Sequence, residues 1–214
     1  MKVKTAVLFT LLTIIPGACT NTDLATNKSK SDIRSEISKD IAALSNDLEK
    51  QQYLEQIHKG DQKYRIELDR GYLSQYDEDS KEYLEFMKAF KSMDSLNLLK
   101  VEAYFSKFGY PKKEQVGNNA ARTPWLVIHH AYDYEPRENH FSTLYQAYLN
   151  GDIEEGLMHM YIGRMYKMKN GKDFKYLSRN SLRKEMDMMM TDLGLHHLVV
   201  FTELHYHENL SRNS

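Results

Sequence analysis

Along most of this chain apolar residues return every three or four positions, the spacing of helices that bury one face and wet the other. The first stripe is Ile33, Ile37, Ile41, Leu44 and Leu48, with charged residues between its members. It predicts a helix over residues 32 to about 58, capped by Ser31 or Asp32, whose side-chain oxygens can accept from free N–H groups of the first turn. Gly60 and Asp61 are expected to end it, with a further turn or a continuation as far as Asp69 and a break at Gly71. A second run opens at Asp79 or Ser80 and carries Tyr83, Met87 and Phe90 on one face. Asp94 is expected to cap the next helix, whose stripe is Leu98, Val101, Phe105 and Phe108. Gly109 and Pro111 stop it, since glycine takes the left-handed conformation and proline cannot continue the hydrogen-bond ladder.

A loop over residues 111–122 is expected to lead into Thr123-Pro124, a cap residue followed by proline at the first helical position. Trp125, Leu126, Val127 and Ile128 are consecutive, so the helix of about residues 123–134 is apolar on every side. A helix of that kind belongs at the buried centre of a domain. Further helices are expected over about residues 136–149, 153–169 and 181–193, closed by Asn150-Gly151, Asn170-Gly171 and Gly194. Strand character is confined to residues 198–201, which read equally well as an extended tail. The whole pattern predicts an all-α fold, a compact multi-helix domain around the central helix 123–134.

The first 18 residues do not join this pattern. Lys2 and Lys4 precede a short apolar run, AVLFTLLTII, and then Pro16, Gly17 and Ala18 lead into Cys19. That order is the order of a secretory signal, and the run is about half the ~20 apolar residues a spanning helix needs. The small residues before the cysteine resemble a bacterial lipobox, although Pro16 stands where that pattern has an aliphatic residue. The resemblance implies cleavage before Cys19 and lipidation of its sulfur, and so a place in the bacterial cell envelope with the membrane as first partner. Cys19 is the chain's single cysteine, which excludes an intrachain disulfide. Residues 19–31 are polar and lack aromatics, as a tether should. The expected organisation is therefore a signal peptide (1–18), a lipidated tether (19–31), a helical domain (32–200) and a polar, histidine-containing tail (201–214).

Removal of the signal leaves 196 of the 214 residues, enough for one domain with its own core. With 29 basic and 30 acidic residues the charge is nearly balanced, which argues against nucleic acid as a partner. The 15 tyrosines, 11 methionines and only four prolines fit a helical domain with an adaptable, Met-filled core.

Candidate chemistry centres on the most apolar helix. His130 near its end is expected to be partly buried, and burial disfavours the charged imidazole, as suits a general base, a metal ligand or a packed core histidine alike. His129 precedes it at about 100° around the helix, so the two do not converge on one metal. Asp133, three residues on, is the candidate to orient His130. Asp61, Gln62 and Arg65 lie within about one turn, an acid, an amide and a guanidinium that suit either a polar ligand or a hydrogen-bond network between helices. Glu203, His205 and His207 in the tail have strand-like metal spacing, but with His196 and His197 close by they read first as a solvated, histidine-rich tail. No glycine-rich phosphate loop or nucleophile elbow is present, and no cofactor or metal is expected.

Several of these residues occur together in a wider pattern. Gly109-Tyr110-Pro111, Val116-Gly117, Ala121 and the run from Trp125 to Ala131 resemble a bacterial family known only as a domain of unknown function. Its pattern is Gly-Trp/Tyr-Pro, Val-Gly, Ala, then a hydrophobic helix ending Gln-His-Ala. Asp61-Gln62 with Arg65 match its Asp-Gln-x-x-Arg, and Asn97, Arg164 and Leu193-Gly194-Leu195 match weaker positions. His129 stands in place of the family's Gln, Gly163 in place of the Asp before Arg164, and Asp173 to Tyr176 in place of a Tyr-Gly-Thr-Gln stretch. The resemblance spans roughly residues 50 to 200 and implies no activity.

Two functions are compatible with these residues. One is a helical envelope lipoprotein that binds a protein or small ligand at the membrane surface. The other is an enzyme of the hydrolase type, with His130 as base or ligand and Asp61, Gln62 and Arg65 around it. On the second, Asp61, Arg65, Asn97, His130 and Arg164 should meet in one pocket.

Overall fold

A computed structural model describes residues 29–175 and 181–199. Cys19, the expected signal, most of the expected tether and the tail with Glu203, His205 and His207 lie outside the described residues, as does half of the 198–201 segment, whose described half, Leu198 and Val199, lies in and just after a 3-10 turn. Eight α-helices and two short 3-10 turns make up the described residues, with no strand among them. The domain is all-α, as its periodicity predicts. No helix among the described residues is long and apolar enough to cross a membrane.

The first predicted helix is two. Helix α1 covers Lys30–Ala43 and α2 covers Asp47–Asp69. The break follows from local chemistry. The Asn46 side chain accepts from the Glu49 N–H while the Glu49 carboxylate reaches back to the Ser45 N–H, which starts a new helix in mid-stripe. Ser29, rather than Ser31 or Asp32, caps α1. Nor does Gly60 end α2. A Cβ there would meet Met93 Sδ at 3.3 Å and the Asn97 amide at 3.5 Å, so this glycine lets α2 lie closely on the next helix. Asp94 is likewise interior, because α3 runs unbroken over Lys81–Phe108 from a Ser80 cap.

After α3 comes a short helix α4, Lys113–Val116, and the central helix α5, Asn118–His130. Thr123-Pro124 does not begin α5 as expected. Gly117, with φ 80° and ψ 161°, a conformation nearly exclusive to glycine, turns the chain into the helix one and a half turns earlier. Thr123 Oγ1 instead donates back to the Asn119 carbonyl at 3.0 Å. The helix also ends earlier, at His130. Helices α6 (Tyr134–Leu149), α7 (Glu155–Asn170) and α8 (Leu182–Leu193) follow near their predicted bounds.

Helix α5 packs against α2, α3 and α6, and α7 against α6 and α8. One apolar cluster joins Ile57, Val101, Trp125, Ile128, Phe141 and Leu144 to Met158, Met165, Met186 and Met189, the methionine-rich core that composition anticipates. A smaller one gathers α1 onto Leu54, Tyr104 and Ala121. Trp125 sits between helices, its indole N–H donating to the Leu157 carbonyl at 3.1 Å. The last turn of α5, held from three sides, is where the polar residues meet.

Candidate functional site

Consecutive helical residues point about 100° apart. His130 therefore turns toward α2, and His129 toward α6 and α7. Each meets a different set of polar groups.

On the α2 side, Asp61 is 1% exposed and lies under His130, whose Nδ1 is 3.0 Å from each carboxylate oxygen. Gln62 Nε2 donates to Asp61 Oδ2 at 2.7 Å. One turn on, Arg65 Nη1 donates to the Asp61 carbonyl at 2.8 Å and stands 3.3 Å from Asp61 Oδ1. The same guanidinium grips Asp94 of α3 in two-pronged fashion, at 2.9 and 3.0 Å, and lies over the Phe90 ring. Burial pushes the Asp61 carboxyl up, but the hydrogen bond and charge of His130, with Arg65 and Gln62, outweigh it and hold it below the usual carboxylate range. Helices α2, α3 and α5 are thus tied by one network in which both carboxylates are fully engaged.

On the other side, the His129 ring stacks on Trp125 one turn back, at 4.9 Å between centroids and 14° between planes. Its edge faces His130 and the ring of Tyr161. The residue is 8% exposed, and its Nδ1 is buried with no hydrogen-bond partner. Burial, then the charges of Arg164, Arg137, His130 and Arg65, push its pKa down to about 3. Arg137 of α6 is wholly buried, at 0% exposed, and donates from Nη2 to the Ala131 carbonyl at 2.6 Å. Its Nε and Nη1 have no partner. That carbonyl caps the C-terminal end of α5, whose partial negative charge offsets part of the guanidinium's. Burial first, then Arg164, lowers the Arg137 pKa to about 10. Arg164 is exposed on α7, makes no ion pair among the described residues, and lines a cleft of about 580 Å³ with His129, Met160, Lys167, Met168 and Asp173. Lys167 and Asp173 pair with each other across the rim at 3.1 Å.

Asp61, Gln62, Arg65 and His130 therefore meet, as their residue types suggest, but they meet each other. Asn97 is buried on α3 against Gly60, its amide nitrogen unpartnered. Arg164 lies beyond the network, close enough for the charges of Arg65 and Asp94 to act on it. Asp133 does not orient His130. It is exposed at the start of α6, and Asp61, 69 residues away in the chain, takes that place. Asp94 and Arg137 had no predicted role at the site. Both sit on apolar stripes, Phe90-Asp94-Asn97-Val101 and Arg137-Phe141-Leu144, and a charge on such a stripe is the signal that marks them. No group of three or more metal-ligating side chains occurs among the described residues.

Compared with family models, curated proteins and solved structures, the chain finds no significant match.

Proposed function

We propose that this chain is a lipid-anchored protein of the bacterial cell envelope whose helical domain binds a ligand without transforming it, and that it is related to the domain family its central motif resembles. The anchor reading rests on the order of basic, apolar and small residues ahead of Cys19. The binding reading rests chiefly on the closure of the Asp61 network. His130, Gln62 and Arg65 satisfy Asp61, and Asp94 takes the rest of Arg65, so these groups cross-link helices. The cleft beside them offers polar groups with no protein partner, which is what a ligand site needs.

One observation favours the enzyme reading. A carboxylate on Nδ1 leaves His130 Nε2, which makes no hydrogen bond among the described residues, as the free nitrogen, the arrangement of a general base in hydrolases.

Thermal unfolding of the purified full chain against metals and small anionic metabolites, with turnover of ester and amide substrates measured alongside, separates the two. Ligands that raise the melting temperature without being turned over support binding. Hydrolysis abolished in a His130→Ala protein that still folds replaces it with the hydrolase. For the anchor, Cys19→Ala is expected to leave an unprocessed or soluble exported form, and unchanged membrane partitioning overturns that part.

A further inference from the structure

We infer that the cleft between the end of α5 and the outer face of α7 is a site for a small anion, a carboxylate or phosphate group gripped by Arg164 and hydrogen-bonded by His129. The inference rests on the binding reading in needing an occupant for this cleft, and it adds the chemistry of that occupant.

Charge is the first argument. Arg65, Arg137 and Arg164 all act on His129. The carboxylates in ion-pair contact with this group, Asp61 and Asp94, both contact Arg65. Among the described residues Arg137 and Arg164 have none in ion-pair contact. A buried guanidinium without a counter-charge is costly, and one helix-end carbonyl at 2.6 Å offsets only part of that cost. An anion on the near side of His129 would supply the rest through space, since Arg137 itself does not line the cleft.

Satisfaction is the second. His129 is more than nine-tenths buried, lines the cleft and makes no hydrogen bond among the described residues, its Nδ1 being buried without one, although an imidazole in a packed interior ordinarily finds a partner. A bound oxyanion gives it one. The rim does not compete, because the one carboxylate lining the cleft among the described residues, Asp173, is held by Lys167.

Shape is the third. Met160, Arg164 and Met168 are spaced four apart and share one face of α7, so a guanidinium lies between two exposed thioether side chains. A guanidinium presents parallel donors to a carboxylate or phosphate, and the methionines offer an apolar bed to whatever carries it. A volume of about 580 Å³ falls in the range of roughly 300–1,000 Å³ occupied by small-molecule sites.

The protein carries its own reporter. Trp125 is the single tryptophan of the chain and stacks on His129, so its fluorescence should follow occupancy. The full chain in detergent is titrated with inorganic phosphate, with hexanoate and with neutral hexanamide, at constant ionic strength held by sodium chloride. The expected result is a saturable change with at least one of the two anions, none with hexanamide, and binding weakened about tenfold or more in Arg164→Gln. That variant changes an exposed side chain and should fold normally. No saturable response to either anion overturns the site, as does a response unaltered in Arg164→Gln. Hexanamide binding as well as hexanoate overturns the anion while leaving ligand binding intact, whereas the binding reading itself falls only to turnover.

Discussion

His130 and His129 stand side by side at the end of α5, and their surroundings differ in one respect that governs the rest. The carboxylates lie on the His130 side. There, Asp61 and Asp94 balance Arg65 and hold the imidazole through Nδ1, so the network is closed and its members are fixed. On the His129 side, Arg137 and Arg164 have no carboxylate in ion-pair contact and the imidazole Nδ1 has no partner among the described residues. A closed network stabilises and orients. An open one of the same residue types is strained by its own field, and a ligand of opposite charge relieves it. Polar residues in a core are thus informative by what they lack as much as by what they touch.

The comparison breaks or sharpens on four variants. Removing Asp61 should have the largest effect, because it takes the acceptor from His130 and Gln62 and one of the two counter-charges from Arg65 in a nearly dry site. Asp61→Ala is expected to cost about 3–5 kcal/mol in urea unfolding. A loss below about 1 kcal/mol would mean the network is not the clamp between α2, α3 and α5 described above.

Next comes the pH dependence of His129. Its folded pKa, about 3, lies below the usual 6.5, so between those values the unfolded chain binds the proton and the folded chain does not. This contribution is whole above pH 6.5 and is lost as pH falls toward 3. His129→Phe keeps the stack on Trp125 and should flatten the melting temperature between pH 6.5 and 4.5 relative to the parent. Asp61, held below its ordinary 3.8, acts in the same direction but only at lower pH, so the two are separable. Parallel profiles for parent and variant would show that His129 is not held neutral by its surroundings.

Arg137→Met is expected to differ from Asp61→Ala in sign. It removes a buried charge that no carboxylate balances, and should leave stability unchanged or raise it by about 1 kcal/mol. Destabilisation as large as that of Asp61→Ala would erase the distinction between the two sides. The smallest effect belongs to Arg164→Gln, which should shift stability by less than about 0.5 kcal/mol, since it frees no buried partner. A larger loss would move Arg164 from the ligand to the scaffold.

Much of the fold was legible in the chain, since helical stripes and caps act over a few residues. The stops at Gly109, Asn150-Gly151, Asn170-Gly171 and Gly194 fall where the structure ends its helices. Sequence and structure part at residues with both a local and a distant role. Gly60 has the form of a helix end and is a close approach to α3, while Asp94 has the form of a cap and is the partner of Arg65. Thr123-Pro124 has the form of a helix start, but Gly117 had already turned the chain.

By itself the chain determined the helices, their approximate bounds, a methionine-rich core around Trp125, and the placing of the polar residues Asp61, Gln62, Arg65, His129 and His130 on those helices. Only the tertiary structure decided which of them are paired. Local spacing carries periodicity, capping and the angle between neighbouring side chains, whereas charge balance depends on groups brought together from α2, α3, α6 and α7. That balance left Asp61 clasped by three partners and His129 beside two arginines with none.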